Sequence, residues 1–241
     1  MDRIVVVPER SDVERVVATD VLVELARAIS DRDRADIVLT GGTVGIGSLA
    51  MIAAHPDRDD VDWSRVRFWW GDERFVADGD ADRNEGQATE ALLRHLPLTL
   101  DNVFRFPAAH GQTLEAAREQ FDAVLRAEFL GEPYFDVVLN GIGPDGHVAS
   151  LFPGHDHGTA DEFVIAIDDS PKPPPQRLSL TFAALNRGAK VWIVAAGADK
   201  ADAIARLLAG SPVAETPASG LQGTVETAVY LDEAAAALIA D

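Results

Sequence analysis

Ile37-Val38-Leu39-Thr40-Gly41-Gly42-Thr43-Val44-Gly45-Ile46-Gly47 is the stretch on which the fold turns. Its first residues form a continuous apolar run, as in a strand covered on both faces; a strand with one wet face alternates instead. The run stops at a glycine-rich turn, and the residues from Thr43 onward read as the start of a helix. Strand, tight turn and helix make up the unit from which parallel sheets are assembled. The turn does not end in Gly-Lys-Ser/Thr, so it is not a nucleotide P-loop. Free N–H groups at the helix start still make it a candidate anion cradle, the alternative being a tight turn packed on the sheet.

The same rhythm recurs on either side. Further strand candidates are Ile4–Val7, Val66–Trp70, Phe135–Leu139, Phe163–Ile167 and Val191–Ala195. Ser11-Asp-Val-Glu14 has the spacing of a capping box and opens a helical segment running to Ile29. Helical spacing also marks Asn84–Leu93, Leu114–Phe129 and Lys200–Leu208. The expectation is an α/β fold, a mostly parallel open sheet with helices on both faces. No internal repeat or long linker interrupts it, so residues 1–241 read as a single domain. Ligands of such sheets bind beyond the carboxyl ends of the strands. That rule nominates the segments after Leu39, Trp70 and Leu139.

Composition narrows the chemistry. With 47% hydrophobic residues the chain can bury a substantial core, and with no cysteine it has neither disulfides nor a thiol nucleophile. No apolar run is long enough for a membrane span or a signal peptide, which sets a cytoplasmic location as the expectation. Lys and Arg number 21 against 40 Asp and Glu, a net charge of −19. A field of that sign repels nucleic acid and anionic membrane, and neither is expected as a partner. Any anion site must be built locally, which draws attention to the only lysines, 172, 190 and 200.

Four more segments carry candidate chemistry. Trp69-Trp70-Gly71-Asp72-Glu73-Arg74 puts a charged cluster at a strand's carboxyl end, with Asn84 in reach if the loop folds back; a solvated ion-pair loop is the alternative. Gly141-Ile-Gly143-Pro144-Asp145-Gly146-His147 contains G-x-G-x-x-G, but three features argue against a dinucleotide site. Pro144 removes a backbone donor, His147 replaces a small or apolar residue, and no clear acidic residue closes a following βαβ unit. His147 is the better candidate, because an imidazole exchanges protons near neutral pH. The other histidines, at 55, 95, 110, 155 and 157, read as structural, and His155-Asp-His157 without a third ligand does not make a metal site. Pro171-Lys172-Pro-Pro-Pro175-Gln-Arg177 is a stiff turn able to hold Lys172 and Arg177 toward a pocket. In Gly197-Ala-Asp199-Lys200 a lysine in a helix's first turn opposes the macrodipole, an arrangement that makes sense beside a bound anion.

Taken in order, these segments resemble the 6-phosphogluconolactonases. The matching blocks are the Gly-Gly-Thr loop, Asp72-Glu-Arg74, Gly143-Pro-Asp-Gly-His147 with Ala149-Ser-Leu-Phe-Pro153, Lys172-Pro-Pro-Pro-x-Arg177 and Gly197-x-x-Lys200. The resemblance implies a Rossmann-like fold shared with glucosamine-6-phosphate deaminase (NagB) and ribose-5-phosphate isomerase (RpiA), of the NagB/RpiA/CoA transferase-like kind. It also implies cofactor-free, metal-free hydrolysis of a small phosphorylated sugar lactone in the pentose phosphate pathway. The related deaminases carry a glutamate a few residues after Asp-Gly-His, whereas this chain reads Ala149-Ser150-Leu151-Phe152-Pro153. The first loop also departs from the family's Gly-Gly-Ser-Thr-Pro. The expected catalytic residues are His147 as general base, Arg74 for charge on the carbonyl oxygen, and Asp145 in support. Gly41, Gly42, Thr43, Asp72, Asn84, Lys172, Arg177 and Lys200 are expected to bind substrate, chiefly its phosphate. A deaminase or isomerase on the same fold, or a non-catalytic sugar-phosphate-binding module, are the alternatives. A monomer or weak homo-oligomer is the expected assembly.

Overall fold

The computed structural model describes residues 1–239. In chain order, β1 (Arg3–Val7), α1 (Arg10–Arg32), β2 (Ala35–Leu39), α2 (Gly42–Ala54) and β3 (Val66–Trp70) come first. The short β4 (Asp72–Arg74), α3 (Asn84–Ala91), α4 (Leu114–Glu128) and β5 (Phe135–Gly141) follow, then β6 (Val164–Ile167) and β7 (Arg177–Leu180). Next come α5 (Phe182–Leu185), β8 (Gly188–Ala195), α6 (Ala201–Leu208) and β9 (Glu226–Asp232).

Six strands form one sheet in the order β1-β9-β8-β5-β2-β3, and all its ladders are parallel. Every residue of β2 and β3 is buried, which explains their continuous apolar runs. β3 is an edge strand, yet its free edge is covered: the Phe104 N–H donates to the Phe68 carbonyl at 2.9 Å. Helices pack on both faces. Trp69 stacks on Phe104 at 4.0 Å and meets Phe121 of α4 edge-on. On the opposite pleat, Tyr230 and Lys190 reach α1 through Asp20 and Glu24, at 2.7 and 2.6 Å.

From β2 the chain moves outward to β3 and then returns to β5 on the other flank of β2. The strand order therefore reverses between β2 and β5, where open α/β sheets leave a crevice at the carboxyl ends. The two strand ends are tied there, the Gly141 N–H donating to Thr40 Oγ1 at 3.2 Å.

A second, antiparallel sheet of β4, β7 and β6 was not legible in the strand–helix rhythm. It contains Val164–Ile167, a segment the sequence shows only as one more strand. β4 leaves the end of β3 after a single residue and pairs with β7, setting Asp72 against Ser179 and Arg74 against Arg177. The expected capping box is absent. α1 starts at Arg10 with Glu9 as its N-cap and no side-chain cap, so Ser11 lies inside the first turn and its hydroxyl donates to the Glu9 carboxylate at 2.9 Å.

Candidate active site

At the crevice between β2 and β5 lies a cavity of about 270 Å³. His147, Arg74, Asn84, Asp72, Lys172, Arg177, Lys200, Gly41 and Gly42 all line it. Segments far apart in sequence are thus brought together at one end of the sheet. Gly41, Gly42, Gly141, Ile142 and Lys200 also line an adjoining cavity of about 590 Å³, so the two are lobes of one cleft. Thr43 lines only the larger lobe, which it shares with Gly41, Gly42 and Lys200 and with Arg10 and Asp232, and it is absent from the lobe that holds His147. Asp145 lines neither lobe but touches His147.

The histidine is held by its own loop. The Gly143 N–H donates to the His147 carbonyl and the Gly146 N–H to the Gly143 carbonyl, both at 2.9 Å. His147 Nδ1 lies 2.5 Å from Asp145 Oδ1, and Phe152 packs against the ring at 4.8 Å. Burial works against ionisation of Asp145. The hydrogen bond and charge of His147 outweigh it, Lys172 adds to them, and the carboxyl is held down at about 2. An ionised carboxylate only accepts, so in the neutral form of the ring the proton facing Asp145 belongs to Nδ1 and the lone pair to Nε2. Nε2 has no hydrogen-bond partner among the described residues.

Around the imidazole stand four cations. Lys172 Nζ lies 3.5 Å from Nδ1 of His147. Its pKa is lowered first by burial; Asp145 opposes this, while the charges of Lys200, Arg177 and Arg74 add to it. Such a gathering in a chain of net charge −19 has one simple chemical use, the capture of an anion. Lys200 ends a short turn just ahead of α6, rather than lying within the helix, and pairs with Asp199 at 3.1 Å.

Arg177 reverses the expected relation with the prolines. Its guanidinium donates to the carbonyls of Pro174, Lys172 and Pro173 at 3.0, 3.1 and 3.3 Å, so the arginine shapes the loop. Asp72 is likewise engaged, accepting the Ser150 hydroxyl at 2.6 Å with Arg177 Nη1 at 3.9 Å. Arg74 Nη1 donates to Asn84 Oδ1, and Asn84 Nδ2 donates to the Asp72 carbonyl at 2.8 Å. A Cβ on Gly41 would fall 2.1 Å from Asn84 Oδ1, so only glycine admits that side chain. His155 and His157 lie against the carbonyls of Pro153 and Phe152, at 3.1 and 2.7 Å. Sequence reasoning missed Thr40, Ile142 and Phe152 as lining residues. Thr40 was within reach of the carboxyl-end rule. Phe152 stood in the matching block Ala149–Pro153, but nothing in its residue type placed it beside the imidazole.

Residues 8–230 match the family described as glucosamine-6-phosphate isomerases/6-phosphogluconolactonase. A 6-phosphogluconolactonase of Streptomyces coelicolor is 44% identical over 228 residues, covering 91% of this chain and 87% of its own. One from Mycobacterium leprae is 44% identical over 219 residues, covering 88% of each. The solved 6-phosphogluconolactonase of Thermotoga maritima superposes with a TM-score of 0.84 at 25% identity, covering 95% of this chain and 99% of that one. A monomeric glucosamine-6-phosphate deaminase superposes with a TM-score of 0.80 at 18% identity over 98% of this chain and 99% of its own, a likeness of fold alone. By sequence over nearly its full length and by architecture, the chain belongs to the glucosamine-6-phosphate isomerase/6-phosphogluconolactonase family.

Proposed function

We infer that this enzyme hydrolyses 6-phospho-D-glucono-1,5-lactone to 6-phospho-D-gluconate, the ester-opening step of the pentose phosphate pathway. The observation that carries the reading is an imidazole with a free Nε2 in a cavity that also holds four cations. The lactone ring sits with C1 facing His147. Nε2 takes a proton from water as its oxygen bonds to C1. The tetrahedral intermediate collapses, the bond from C1 to the ring oxygen breaks, and the imidazolium returns the proton to that oxygen. Asp145 fixes the tautomer and offsets the transient imidazolium charge. Arg74 faces the negative charge that develops on the carbonyl oxygen. Gly41, Gly42, Lys172, Arg177 and Lys200 hold the phosphoryl group, and Thr43 contacts it from the larger lobe. Asp72 and Asn84 order the cations and meet sugar hydroxyls. A lactone is already a reactive ester, so one base and positioned charge suffice, proton transfer contributing about 10²–10⁴-fold.

Among the described residues no helix is long and apolar enough to cross a membrane. The reading assigns the enzyme to the cytoplasm, acting on a small phosphorylated lactone. The test is lactone loss measured above its spontaneous rate, with fresh substrate coupled to 6-phosphogluconate dehydrogenase. Saturable acceleration is expected. A rate equal to background, or release of ammonia from glucosamine 6-phosphate in a parallel reaction, would overturn it.

A further inference from the structure

Glu73 is 2% exposed and lines neither lobe of the cleft, yet it stands between two residues that do. Its Oε1 accepts the backbone N–H groups of Arg74 at 2.8 Å and of Asn84 at 2.7 Å. Its Oε2 accepts the N–H of Glu85 at 2.9 Å. Asn84 and Glu85 are the first residues of α3, where N–H groups lack helical partners and a negative charge is favoured. One carboxylate therefore closes the loop from Phe75 to Arg83, joining the end of β4 to the start of α3. That closure brings the Arg74 guanidinium onto the Asn84 amide, although ten positions separate them. Burial pushes this carboxyl up to about 7, with the three N–H donors and the Arg83 charge working the other way, so the clamp of two acceptor oxygens is complete in the ionised form, above about pH 7. The group is thus held by fixed donors in place of water.

We propose that Glu73 is a positioning residue for lactone hydrolysis, its two carboxylate oxygens gathering the N–H groups of Arg74, Asn84 and Glu85 so that the Arg74–Asn84 pair is presented to the cavity. The proposal rests on the reading of Arg74 as the group that meets charge on the substrate carbonyl. Glutamine at this position keeps the shape but turns one acceptor into a donor facing the Glu85 N–H, which splits the clamp. Misplacement of a catalytic group by about 1 Å costs up to about 10²-fold in rate, so a loosened Arg74 should act on kcat.

The test compares wild type, E73Q, R74A and the double variant E73Q/R74A, with thermal melting recorded for each. E73Q is expected to lower kcat by about tenfold or more with KM within about threefold, and to add no further loss in the R74A background. A residue that only stabilised the fold would instead multiply its loss onto R74A, and that outcome, or an unchanged kcat in E73Q, overturns the proposal. If E73Q does not fold, E73D, which keeps two acceptor oxygens on a stem one methylene shorter, takes its place and should lower kcat in the wild-type but not in the R74A background; an unchanged kcat, or a loss that multiplies onto R74A, also overturns it. Wild-type turnover separates the two levels of failure. An inactive wild type sinks the lactonase reading, whereas an active wild type with an indifferent E73Q sinks this proposal alone.

Discussion

A Cβ added to Gly143 would lie 2.0 Å from Nδ1 of His147 and 2.4 Å from Oδ1 of Asp145. The imidazole and its carboxylate partner are packed directly on bare backbone. Gly143→Ala must therefore displace the ring while leaving the sheet untouched. We expect kcat to fall up to about 10²-fold with the melting temperature nearly unchanged. Steady-state kinetics with a melting curve check this, and an alanine variant of normal kcat would show the ring position to be irrelevant.

His147→Ala removes the imidazole proposed as the base. Turnover should drop by about 10²–10⁴-fold, with KM little changed because the cations remain. The measurement is kcat above the spontaneous rate of lactone loss. A near-normal value would take His147 out of the chemistry.

Lys200 and Arg177 both border the catalytic lobe but differ in their attachments. Among the described residues the Lys200 side chain pairs only with exposed Asp199, so Lys200→Ala should raise KM and leave stability alone. Arg177 is buried and holds three carbonyls of the proline turn, so Arg177→Ala should raise KM and also lower the melting temperature. Kinetics and melting on both variants test the contrast, which an unchanged KM for Lys200→Ala would remove.

Asp145 gives a pH signature. Its folded carboxyl is held at about 2, below the ordinary value of about 3.9. The stability it contributes is therefore complete above about pH 4 and is lost as pH falls toward 2. Asp145→Asn lacks this component. The gap in urea stability between wild type and variant should be widest near neutral pH and narrow between pH 4 and 3. A gap that does not change with pH would contradict the assignment.

What the sequence conveyed and what it hid have separate physical origins. Strands β2, β3 and β5 were legible because burial on both faces leaves continuous apolar runs. β9 escaped because Glu226–Asp232 mixes polar with apolar residues. β4 has three residues, all charged, and exists only because β7 pairs with it, which no local pattern can announce. The capping box failed because Glu9, not Ser11, adopts the extended backbone of an N-cap. At the site, residue types at strand ends pointed to His147, Arg74 and the lysines. What they could not show was direction: Arg177 braces the prolines, and Thr43 faces the neighbouring lobe.

Arg74 and Arg177 occupy opposed positions on adjacent antiparallel strands. Like charges so placed repel, and each guanidinium is tethered, Arg74 to the Asn84 amide and Arg177 to the carbonyls of the proline turn. On the proposed assignment of Arg177 to the phosphoryl group, a doubly charged oxyanion beside it offsets part of that repulsion. Even inorganic phosphate should raise the melting point, by an amount that grows with the logarithm of its concentration. Thermal stability measured in Tris and in phosphate would then describe two thermodynamically distinct proteins, and a comparison of variants is meaningful only when the buffer anion is fixed.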